Sequence, residues 1–110
     1  MQTEHDFQQK AAEALEDLEA RISPIAEAFE FDVEAGGGML TLAFEEPAPA
    51  KFILSPNSPA RQIWVSALST SFKFDWDGAV GSFVLDRTRE PFLSVIRDLL
   101  KKQLGKDVNL

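Results

Sequence analysis

The chain has no cysteine among its 110 residues. Disulfides, thiolate zinc sites and cysteine nucleophiles are therefore excluded. Nor can it ligate an iron–sulfur cluster through thiolates. Histidine is almost absent, His5 being the only one. It lies between Glu4 and Asp6 near a chain end, and reads as a surface residue before it reads as a metal ligand. No apolar run approaches the ~20 residues that a membrane helix needs. The opening MQTEHDFQQK is polar, with no apolar stretch behind it, so no signal or transit segment is expected. The expected setting is the soluble cytoplasm of a bacterium, without a membrane partner. Internal repeats, low-complexity tracts and an interdomain linker are missing too, which predicts a single domain over residues 1–110. No phosphate loop and no nucleophile paired with a base can be picked out.

What is present is acid, unevenly spread. Residues 1–34 hold ten carboxylates against only Lys10 and Arg21, a net −8. The other 76 residues hold eight acids and nine bases, a net +1, so the whole imbalance of −7 sits in the first third. Such a surface repels phosphate and argues against nucleic acid as a partner. It attracts cations or basic protein faces. The core has ample material, with 45% apolar residues, nine Phe and two Trp.

Periodicity predicts a helix from Glu4 to Ile22, with Phe7, Ala11, Ala14, Leu15, Leu18 and Ile22 on one stripe and Pro24 ending it. Phe29 to Glu34 alternates strictly. It reads as a strand with Phe29, Phe31 and Val33 inward and Glu30, Asp32 and Glu34 outward. Gly36-Gly37-Gly38 forms a hairpin turn into a strand over Met39–Phe44. Glu45 to Ala50 is a loop, Lys51–Leu54 a short strand, and Ser55 to Ala60 a second Pro-rich loop. Strands follow at Gln62–Ser66, Phe72–Trp76 and Ser82–Leu85, with Asp77-Gly78 a turn. A second helix starts at Glu90-Pro91, buries Phe92, Val95, Ile96, Leu99, Leu100 and Leu104, and ends at Gly105. Consecutive strands with short connections predict an antiparallel meander. The fold class is α+β: a two-layer α/β sandwich, its two terminal helices packed on one face of an antiparallel sheet of five or six strands.

Glu13, Glu16, Asp17 and Glu19 fall within two turns of the first helix, and Glu30, Asp32 and Glu34 lie on the next strand. If that strand is an edge beside the helix, the two rows meet in one negative ridge. Carboxylates are hard oxygen donors suited to Fe²⁺, Fe³⁺, Mn²⁺, Mg²⁺ and Ca²⁺. Without His or Cys partners, binding there is expected to be open, hydrated, weak and poorly selective. The bland alternative is a solvated acidic face kept for solubility. A third reading, a carboxylate-based metal-dependent enzyme, requires a pocket around an acid such as Asp75 or Asp86. On the sheet, Gln62 and Trp64 share one face and Ile63 takes the other. If Ile63 is core, Trp64 is exposed.

Several segments, in order and nearly at spacing, resemble the frataxin family. They are Gly36-Gly37-Gly38-Met39-Leu40-Thr41, then Ser58-Pro59-Ala60-Arg61-Gln62-Ile63-Trp64-Val65-Ser66, then Phe74-Asp75-Trp76, and Asp86-Arg87 ahead of Phe92 and Leu93. The likeness runs from Asp6 to Leu104 and is greatest to bacterial members. It departs at Ala67-Leu68-Ser69-Thr70-Ser71, which lacks the family's Pro and Gly, and at Phe83, where many members have Trp. Lys73 stands where some eukaryotic members have Arg. Ala20, Ser23 and Pro24 thin the acidic ridge.

The resemblance implies an iron-binding regulator of iron–sulfur cluster assembly, with weak Fe²⁺/Fe³⁺ binding at the ridge and other divalent cations admitted there. Glu13, Glu16, Glu19, Glu30 and Asp32 match acidic positions of the family, and Asp17 joins them by geometry alone. Glu27, expected in a connecting loop, is a weaker candidate. The partners implied are the cysteine desulfurase and the scaffold protein, met through Trp64 with Gln62, Asn57, Ser55 and Lys73 beside it. A monomer is implied, with oligomers formed in the presence of metal. No catalytic residue is implied, apart from a weak ferroxidase activity ascribed to some members, which would need only clustered carboxylates.

Overall fold

A computed structural model describes residues 3–110. The first helix, α1, runs from Glu4 to Phe29. Thr3 caps it: its hydroxyl accepts from the Asp6 N–H at 3.0 Å, and Glu4 and Asp6 place negative charge at the positive end of the helix dipole. The helix does not stop at Pro24. An interior proline costs ~3 kcal/mol. Here the freed carbonyl belongs to Ala20, an exposed position where water can satisfy it. The apolar stripe also continues past the proline, through Ile22, Ile25, Ala26 and Phe29. Burying one isoleucine gains ~1.5–3 kcal/mol, so the two further turns outweigh the break.

That extension corrects the expected start of the first strand. Phe29 ends α1, and Glu30 is its C-cap, in the left-handed region at φ 59°. The chain turns there, and the Phe31 N–H closes back on the Ala26 carbonyl at 3.1 Å. Glu27 therefore lies on the exposed side of a helix, not in a loop.

Six strands follow: β1 Asp32–Gly36, β2 Met39–Phe44, β3 Ala50–Asn57, β4 Gln62–Ala67, β5 Thr70–Asp77 and β6 Ser82–Leu85. They form one antiparallel sheet in sequence order. Gly37 and Gly38 both take positive φ in the β1–β2 turn, which only glycine adopts freely. The β4–β5 turn has the same two-residue form without glycine, with Leu68 at φ 51° and Ser69 at φ 62°. β3 is longer than expected, because Ser55, Pro56 and Asn57 pair with Trp64, Ile63 and Gln62 and so belong to the strand, not to the loop.

Helix α2 runs from Phe92 to Leu104, with Gly105 as C-cap at φ 75°. Both helices cover the sheet face formed by Leu40, Leu42, Phe52, Leu54, Ile63, Val65, Phe74 and Phe83. Phe7 of α1 meets Phe83 edge-on at 6.1 Å, and Phe92 of α2 meets Phe74 at 5.0 Å. The buried amide of Gln103 donates to the Ala48 carbonyl at 2.8 Å and fastens α2 to the β2–β3 loop.

The sheet's two edges differ. Outside β6, Val84 bridges to Pro91, and the Leu85 N–H reaches the Glu90 carbonyl at 2.8 Å. Outside β1, no strand pairs among the described residues. At the β5–β6 turn the Ala79 N–H and the Arg89 guanidinium both donate to Asp77, at 2.9 and 2.6 Å. The backbone donor first, and then Arg89, hold the Asp77 carboxyl below the usual carboxylate range.

Candidate functional site

The acidic residues of α1 divide into two sets, because they fan around the outer side of the helix. Glu13 and Asp17, four residues apart, line a groove of about 410 Å³ floored by Trp76, Phe83 and Phe92. Lys10 shares that rim, with its Nζ 5.3 Å from the Trp76 ring. Asp17 is already engaged, accepting from the Arg21 Nε at 2.8 Å. Glu16 and Glu19 lie on the other flank, on a groove of about 310 Å³ against Ala35, Gly36, Gly38 and Met39 of the β1–β2 hairpin.

β1 is the edge strand and packs beside α1. Its carboxylates nonetheless point away from the helix. Val33 pairs with buried Leu42 on the core side, so Asp32, opposite Ala43, and Glu34, opposite Thr41, occupy the open sheet face. The helical and strand rows thus flank the β1 edge from two sides instead of merging into one row. Glu30, expected on the strand, sits exposed at the helix cap. Among the described residues no three His, Asp or Glu side chains gather as a group that could hold a metal ion. The donors are of the right chemical class for a hard cation, but an ion there would keep most of its water. His5 is exposed in the first turn of α1.

The open sheet face is better ordered. Strand alternation buries Ile63 completely and leaves Trp64 38% exposed. The register sets Ser55, Trp64 and Lys73 side by side in one row, and Asn57, Gln62 and Asp75 in the next. All five residues expected to meet a partner therefore share one patch. The Lys73 Nζ stands 5.1 Å over the Trp64 ring. The Trp64 indole N–H donates to the Gln62 Oε1 at 2.9 Å, and the Gln62 amide N–H donates to the Asp75 Oδ1 at 2.9 Å. Asn57 turns inward to its own loop, its Oδ1 accepting from the Ala60 N–H at 2.9 Å. Ile53, Ser66 and Ser71 complete a shallow depression of about 440 Å³ around Trp64. Sequence reasoning did not single these out. Strand register alone would have found them, since Ile53 pairs with Ser66 and Ser66 with Ser71. Asp75 is hydrogen-bonded on this flat face, and Asp86 is exposed on a turn.

A sequence profile of the frataxin-like domain matches residues 1–106. The iron–sulfur cluster assembly protein CyaY of Pseudomonas aeruginosa is 39% identical over 79 residues, which cover 72% of this chain and 71% of that one. The protein of the same name from Azotobacter vinelandii is 30% identical over 98 residues, 87% of each chain. Among solved structures, frataxin from Psychromonas ingrahamii superposes with a TM-score of 0.80 at 26% identity, over 97% of this chain and 96% of that one. A trimeric yeast frataxin from Saccharomyces cerevisiae, complexed with ferrous iron, shares the fold with a TM-score of 0.74 at 24% identity, over 88% and 87% of the two chains.

Proposed function

This chain belongs to the frataxin-like family, and on that premise we propose that it is an iron-binding regulator of iron–sulfur cluster assembly that docks on the cysteine desulfurase and scaffold complex. The observation that carries the docking is the open sheet face. A large aromatic is held exposed there, flanked by Lys73, Ser55, Gln62 and Asn57. Tryptophan anchors of this kind dominate interface energetics. Relatives named for iron–sulfur cluster assembly support the pathway, and their bacterial sources support a bacterial setting, for which the cytoplasm is the proposed compartment. With no cysteine to hold a cluster, the protein changes the rate of sulfur transfer and assembly on its partners. It needs no catalytic residue of its own for that role. It acts as one domain and as a monomer, associating further only when metal is bound.

Iron is cargo, held weakly. Glu16 and Glu19 beside the β1 edge are its first ligands, with Glu13, Asp17, Glu30 and Asp32 adding negative potential around them. The yeast protein solved with ferrous iron supports iron as the metal. A second reading is favoured by the missing three-ligand group among the described residues. In it the same carboxylates attract a basic patch on the desulfurase and bind iron only incidentally. A titration with Fe²⁺, or Co²⁺ in its place, followed by backbone NMR separates the two. Shifts at Glu16, Glu19 and Asp32 in the metal's presence support the iron site. No shifts at millimolar metal, with desulfurase binding intact, leave only the electrostatic role. A desulfurase assay with Trp64→Ala tests the docking, and an unchanged rate effect would remove it.

A further inference from the structure

Trp64 is half-free on a flat surface, where an indole ordinarily samples several rotamers. Here its orientation is tied down by a chain of two hydrogen bonds that ends on a carboxylate. The indole N–H is donor only and an ionised Asp75 is acceptor only. Gln62 stands between them, so a single orientation of its amide satisfies both, with Oε1 toward Trp64 and Nε2 toward Asp75. The three residues lie on two adjacent strands, and Gln62 and Asp75 are register partners, so the backbone sets the span. Lys73, opposite Trp64 on β5, lies over the ring. The indole N–H is thus consumed within the protein.

We propose that Asp75 is a positioning residue for the docking face: through Gln62 it fixes the ring of Trp64, so that a partner meets a pre-oriented apolar ring with no free N–H. The proposal rests on the docking role given to Trp64 above. An ordered side chain loses less freedom on binding, so the relay raises affinity without touching the partner. The substitution D75N replaces a pure acceptor with an amide that can accept or donate, which releases the amide of Gln62 to turn either way. The substitution Q62E sets two acceptors face to face. Together the two changes rebuild the chain with reversed polarity. The new amide on β5 donates to one oxygen of the new carboxylate on β4, and the other oxygen accepts from the indole, at unchanged net charge.

The test follows the Trp64 indole N–H by ¹H–¹⁵N NMR and the rate effect on the desulfurase in parallel, for wild type, D75N, Q62E and D75N/Q62E. In D75N the indole resonance is expected to move upfield and exchange faster, and in both single variants the rate effect is expected to weaken roughly three- to tenfold, the range of one lost hydrogen bond. The double variant is expected to restore both. An unmoved indole signal in D75N overturns the relay, whatever the assay gives. A moved signal with an unchanged rate effect in D75N, while Trp64→Ala abolishes it, overturns the positioning role and leaves docking intact. If Trp64→Ala itself changes nothing, the docking reading and the positioning role fall together, and the NMR result then speaks only of a structural hydrogen bond.

Discussion

The acidic flank of α1 and the open sheet face around Trp64 carry the same kind of expectation but are built in opposite ways. On the flank the carboxylates are numerous, mostly exposed and divided between two grooves, and among the described residues lining those grooves only Asp17 is held in an ion pair. On the sheet the charges are few, yet Trp64, Gln62, Asp75 and Lys73 are each fixed by a neighbour within one patch. In the proposed role the flank works through potential, which tolerates loose geometry and fades with salt. In the proposed docking the sheet face works through shape, which does not. Removing one acid should therefore matter little, whereas removing the tryptophan should matter greatly.

The sharpest test of that contrast is Trp64→Ala. Loss of a central aromatic anchor is expected to weaken docking by about 2 kcal/mol or more, roughly thirtyfold in Kd, measured by calorimetry against the desulfurase complex. The effect should persist at high salt. A smaller effect on metal affinity is expected from Glu16→Gln with Glu19→Gln. Two surface charge interactions of about 0.5 kcal/mol each allow a loss of roughly fivefold, readable by titration with Co²⁺. The docking of that double variant should weaken only at low salt. A salt-independent loss would break the comparison. Smaller again is Glu30→Gly, which relieves a left-handed backbone and is expected to stabilise the fold by about 0.5–1 kcal/mol in urea unfolding. Metal affinity should hardly change, since this acid is a helix cap at the margin of the flank.

The smallest effect concerns Asp77, which belongs to neither surface. Its folded pKa is depressed, so its contribution to stability is present above the ordinary carboxylate value of ~3.9 and is lost as pH falls through the lower folded value. Asp77→Asn is expected to lower the midpoint of thermal unfolding slightly at neutral pH. The difference from wild type should vanish in strong acid.

Much of this was legible in the sequence where side-chain alternation is coupled to burial. β2 and β6 match their expected limits, and the alternation of Ile63 and Trp64 gives the open sheet face its direction. Misreadings fell where two local rules compete. Pro24 signals a stop, but Ile25, Ala26 and Phe29 continue the helical stripe, and tertiary burial prevails over the local break. The same residues alternate well enough from Phe29 onward to mimic a strand, which misplaced Glu30. Ser55-Pro56-Asn57 has loop composition, and only pairing with β4 makes it strand. The acidic surface was legible as charge but not as geometry, because composition does not say which side of an edge strand a carboxylate occupies. The Gln62–Asp75 contact spans thirteen residues and depends on the β4–β5 register, so no local pattern could announce it.

The unequal edges of the sheet have a bearing on how the protein behaves in a crowded solution. Residues 90 and 91 cap β6, while β1 is open, five residues long and bears Asp32 and Glu34. In the language of polymer chemistry the described residues are monofunctional for strand addition. Two copies joined through β1 would leave no second uncovered edge of comparable length among the described residues, so strand addition is expected to stop at the pair.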